Sequence, residues 1–166
     1  LNANANIALN LTLTDGDIDL NGNIITLASG GTLNETGLVT GATGHITITE
    51  NIGVPSNDNV GGLGFELSSA TNMGSTEIRR FHAAQTGELS GGNSIERYFY
   101  ITPTTNSGLN ATLVFHYDDS ELNGLTETEL VLWSSSDGNS WTSVGGTINT
   151  GTNTVTLTGI NAFANY

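Results

Sequence analysis

The sequence has no cysteine and no lysine, and its 166 residues include only two prolines, one methionine and three bases, Arg79, Arg80 and Arg97. The first absence excludes disulfides, thiolate nucleophiles, Cys-ligated zinc and iron–sulfur clusters. The second excludes a Lys–Asn isopeptide cross-link. Asp and Glu number 16, so the formal charge is −13; such a field repels phosphate and excludes nucleic acid and anionic membrane as partners. No apolar run approaches the roughly 20 residues that cross a bilayer, so membrane insertion is not expected. Charged residues make up only 11%, and solubility rests on the amides and hydroxyls of Asn and Thr. A lysine-free, acidic chain rich in Thr, Asn and Gly is expected at an extracellular or cell-surface location. The chain opens at Leu1 with no initiator Met, basic region or apolar signal core, which reads as a mature chain or an excised piece.

What the sequence does have is alternation. Leu1, Ala3, Ala5, Ile7, Leu9, Leu11 and Leu13 occupy odd positions, with Asn, Thr and Ala8 between them. Period-2 patterning predicts a strand with one buried face. As one straight strand it would reach about 43 Å at about 3.3 Å per residue, long enough to need a protein neighbour along its edge. The phase flips at Asp15-Gly16, after which Asn21-Gly22 and later glycines separate short strands up to residue 50, as in a β-solenoid or a tight meander. Residues 51–62, with Pro55, read as a linker-like loop. Residues 63–166 hold longer strands separated by turns such as Gly91-Gly92 and Gly145-Gly146, without helical periodicity. The expected fold is therefore all-β: an antiparallel β-sandwich or jelly-roll-like domain over 63–166, preceded by the long strand and short strands of 1–50.

Within that second part, Arg97 to Tyr100, Thr102-Pro103, Leu109 to Tyr117, Asp119 to Gly124, Asp137 to Trp141 and the closing GINAFANY form a series of motifs. This series resembles a β-rich module of large surface and secreted Bacteroidetes proteins exported by the type IX secretion system. The resemblance covers about residues 60–166 and implies a structural or adhesive surface role without specifying a chemistry.

Chemical motifs are few. Asp17 to Gly22 fits the first six places of an EF-hand loop, but Ala28 stands where the bidentate Glu belongs. The first reading is a solvated acidic strand face, and a surface calcium on Asp15, Asp17 and Asp19 is the one cofactor considered. Asp118, Asp119 and Glu121 form a second acidic group, read as turn caps or as partners of Arg97. The expected structural ion pair joins Arg97 to Asp118 or Glu121 and fixes strand register. His45, His82 and His116 lack metal-ligand spacing. Ser135 to Trp141 falls one residue short of a sialidase Asp-box and reads as a hairpin turn. Tyr98, Tyr100, Trp133 and Trp141 suit a core, or alternatively a glycan-stacking platform.

No catalytic residue is assigned and enzyme activity is not expected. The favoured function is an extracellular structural or adhesive module, or a fibre subunit that adds residues 1–13 to the sheet edge of another copy and propagates as a filament. The alternative is a carbohydrate-binding module. Partners are copies of the chain, neighbouring modules of a surface protein, or glycans.

Overall fold

Odd-position apolar residues bury best if the chain wraps and stacks on itself. In the computed structural model, which describes residues 1–86 and 92–166, the first part does this. Strands β1 (Ala5–Ile7), β2 (Asn10–Leu13) and β3 (Ile18–Asp19) form three faces of one turn of a coil. β4 (Ile24–Leu27), β5 (Thr32–Glu35) and β6 (Val39–Thr40) form the next. Pairing is parallel on every face, at offsets of 20 to 22 residues: Ala5 lies against Ile25, Asn10 against Thr32 and Ile18 against Val39. A meander would have paired antiparallel. β7 (His45–Ile52) begins a third turn, with Ile25 beside Ile46 and Leu27 beside Ile48.

The single strand expected over residues 1–13 is thus corrected to two short strands on either side of a corner at Ala8–Leu9. Parity survives the corner. Ala5, Ile7, Leu11 and Leu13 face the interior, whereas Leu9 is 77% exposed and Ala3 is exposed. Bending lets the odd residues stack on the next turn, which a straight ribbon could do only with another molecule. Corners need glycine where turns touch backbone to backbone: a Cβ on Gly37 would lie 1.9 Å from the Gly16 carbonyl oxygen.

β7 then changes the topology. Its far side pairs antiparallel with β9 (Gly74–Phe81), which pairs with β10 (Tyr98–Pro103), giving one five-stranded sheet in the order β1-β4-β7-β9-β10. A four-stranded sheet combines β8 (Phe65–Ser68), β11 (Ala111–His116), β14 (Thr147–Asn149) and β15 (Thr154–Ile160); a hairpin joins β12 (Leu132–Ser134) to β13 (Thr142–Gly145). The two larger sheets meet where Phe99 sits edge-on to both Phe65 and Phe115, at centroid separations of 5.1 and 5.2 Å. One continuous apolar cluster runs from Leu13 in the coil to Tyr166. The accessible surface of 7958 Å² is close to the ~7,800 Å² of a compact monomer of this mass.

The stretch read as a linker is packed into this body. Ile52, Pro55 and Val60 are buried, and Asp58 bridges to Leu67. Gly91 of the expected Gly91-Gly92 turn lies outside the described residues.

Candidate functional site

The two ends of the five-stranded sheet differ. β10 is covered along its outer edge by the chain terminus: Phe99 N donates to the Tyr166 carbonyl, Tyr166 N donates back to Phe99, and Ile101 N donates to Ala164. β1 has a neighbour on one side only, as do β2 and β3. Of the first turn's interior residues, Leu13 and Leu20 are buried, but Leu1, Ala5, Ile7, Leu11 and Ile18 are only partly covered. Their counterparts one turn on, Ile25, Leu27, Leu33 and Val39, are 2–3% exposed. The first turn is therefore a half-finished layer, with apolar side chains and one row of strand edges facing outward.

Two ion pairs lie beside the other end of the coil, and one of them reaches into it. Arg80, 1% exposed, forks onto Glu35 of β5, with Nη1–Oε2 at 2.5 Å and Nη2–Oε1 at 3.0 Å, and Nη1 also donates to the Leu63 carbonyl. Burial, and then the charge of Arg97, push the Arg80 guanidinium down to about 10. Arg97 holds Glu121 at 2.8 Å and donates to the His116 carbonyl. Asp118 does not take the arginine. Its carboxylate accepts from Ser120, while its own N–H donates to Glu121 in a capping box. Both guanidiniums crowd over Gly64 (φ +87°), where a Cβ would lie 2.6 Å from Arg97 Nη1. Two of the three cations are thus spent inside the fold, where each needs its carboxylate.

The acidic motif of the first turn engages local backbone. Asp17 accepts from the Leu38 N–H of the next turn, and Asp19 accepts from Asn21 N–H. Both carboxylates cap backbone, and Asp15 is exposed. Among the described residues no group of three or more His, Asp or Glu side chains is placed to hold a metal ion. The three histidines stay apart. His45 lies 5.0 Å from the Phe81 ring, and His116 faces Glu66 at 3.3 Å. His82 is 6% exposed, and neither ring nitrogen has a hydrogen-bond partner among the described residues. Burial, followed by Arg80 and Arg97, pushes His82 down to about 2, so its ring is neutral. An unpaired buried polar group costs about 1–3 kcal/mol.

The aromatic residues form a cluster and not a flat platform. Phe81 covers one face of Tyr98 at 4.5 Å and 3°, Tyr100 is tilted 53° to Tyr98, and Trp141 is edge-on at 82°. Trp141, considered for glycan stacking, is 6% exposed and therefore cannot offer an open face. Tyr98, Trp133 and Trp141 line a cleft of about 320 Å³. Asp137 ties the hairpin turn: Ser140 and Asn139 N–H groups and the Ser135 hydroxyl hold its carboxyl below the usual range.

A second cavity, of about 430 Å³, opens beside β6, between Leu38–Ala42 and the His82–Ala84 segment. Sequence reasoning missed this cavity and the Arg80–Glu35 pair, since partners 45 residues apart leave no local signal. No helix among the described residues is long and apolar enough to cross a membrane. Comparison of the chain with protein-family models, with curated proteins and with solved structures gives no match.

Proposed function

We propose that this protein is an extracellular structural or adhesive β-module, joined in line to a neighbouring module by a further coil turn that stacks on β1, β2 and β3. The observation that supports this is the half-covered first turn: an interior ladder of Ile and Leu stops one layer short of closure, with strand edges facing the gap. Strand addition would supply backbone hydrogen bonds, and the ladder would set register. In this reading residues 63–166 form a sandwich-like body that caps the coil, in keeping with their resemblance to type IX secreted modules. A head-to-tail filament through β1 is less suited, because residues 164–166 already cover the opposite sheet edge at β10.

The test is a fusion that places a duplicate of residues 22–43 ahead of Leu1, followed by hydrogen exchange and urea denaturation. Slowed exchange of the Ala5–Ile7 amides and a higher midpoint are expected. A duplicate that remains protease-labile, with those amides exchanging as before, overturns the reading.

A further inference from the structure

The three faces of the coil end differently. β7 continues the first face, and the segment 60–64 closes the second, where a Cβ on Gly62 would lie 2.2 Å from the Leu33 carbonyl oxygen. On the third face nothing among the described residues pairs with the far edge of β6. Its bridge to β3 is made through Ile18, whose N–H donates to Leu38. In parallel pairing the N–H and C=O of Val39 therefore point to the opposite side. Neither has a hydrogen-bond partner among the described residues, although Val39 is 3% exposed. That side is the cavity of about 430 Å³, within the range of about 300–1,000 Å³ usual for ligand sites. His82 lines it with both ring nitrogens unpartnered. Leu38, Ala83 and Ala84 supply apolar wall, and Glu96 and Ser120 stand at the rim.

We propose that this cavity is a docking site for a short, extended peptide segment of a partner protein, added as a third strand beside β6 and hydrogen-bonded to Val39 and His82. A peptide backbone brings alternating neutral donors and acceptors at strand spacing, which is what an unpaired Val39 and a neutral imidazole require together. A free cation lacks a ligand set here among the described residues, and an anion meets Glu96 and Glu121. The site lies on a different edge from the first-turn junction, so either can fail without the other.

The experiment uses the full chain and, as probe, a capped peptide copying residues 37–42, followed by NMR. In the free protein the Val39 amide is expected to exchange fast despite its burial. Peptide is expected to bind with a Kd on the order of 1 mM or tighter, shift the Val39 and Gly41 amides and the His82 ring nitrogens, and slow Val39 exchange at least ~10-fold. Methylating the peptide nitrogens should abolish the effect on unaltered protein. Ala42→Trp, at an exposed rim position, should block entry while leaving His82 in place, and His82→Phe should weaken binding at least ~10-fold. The proposal is overturned if Val39 is already protected without peptide, if methylated peptide binds equally well, if no saturable shift occurs, or if neutral monosaccharides produce the same shifts.

Discussion

The coil and the body bury their cores by different means. No Phe, Tyr or Trp precedes Phe65 and no arginine precedes Arg79, so the coil relies on Ile, Leu and Val stacked on like residues of the next turn. The body relies on few large contacts, Phe99 between Phe65 and Phe115, and on buried arginines neutralised by half-buried Glu35 and buried Glu121. Stacked layers add stability by increments, and terminal layers are the weakest. A core built around one ring fails at a single substitution. Glu35 joins the two designs: it sits on a coil strand and serves a guanidinium of the body.

The sharpest way to break the comparison is at that junction. Glu35→Ala leaves a buried guanidinium without its anion, expected to cost about 3–5 kcal/mol. Because the pair spans both regions, urea denaturation should split into two transitions. The corresponding Glu121→Ala, confined to the body, should lower stability in one transition. Next come core truncations: Phe99→Ala should cost about 3–5 kcal/mol, whereas Ile25→Val should cost about 0.5–1.5 kcal/mol, both read from denaturation midpoints.

Acid provides a third measurement. His82 takes its proton at 6.5 in the unfolded chain but only near 2 when folded. Its contribution is therefore complete above pH 6.5 and is lost as pH falls toward 2, by up to about 1.4 kcal/mol per pH unit. Arg80 and Arg97 oppose the imidazolium, while Glu121 and Glu96 are the acids around the same space. The lowered carboxyls Asp118 and Asp137 act only below their usual 3.8. His82→Phe should therefore flatten the stability profile between pH 6.5 and 4.5 relative to the unaltered chain. The smallest effect belongs to Leu9, fully in the alternating pattern but 77% exposed: Leu9→Ser should change stability by less than about 0.5 kcal/mol.

That last contrast shows what the sequence could and could not convey. Period-2 alternation assigned interior faces correctly at Ile7, Leu11 and Leu13, because parity alone decides which side a strand residue occupies. It could not place the corner at Ala8–Leu9, since parity carries no information about where a chain bends. The readable signal was the echo of Ile25-Thr26-Leu27 in Ile46-Thr47-Ile48, 21 residues later, which the structure pairs in register. Arg97 had two nearby candidate anions and settled on Glu121 because Asp118 is consumed as a cap. The β6 cavity left no mark in the sequence, being defined by an unstacked layer and an isolated His82.

The placement of the three arginines also bears on resistance to proteolysis. An enzyme that cuts after basic residues finds three addresses in the whole chain. Two of them, Arg79 and Arg80, lie in β9, hydrogen-bonded on both sides within the five-stranded sheet, and the side chains of Arg80 and Arg97 are sealed inside. Digestion of this kind must wait for the protein to unfold, so spending its few positive charges indoors leaves the folded surface with almost nothing for trypsin-like enzymes to grip.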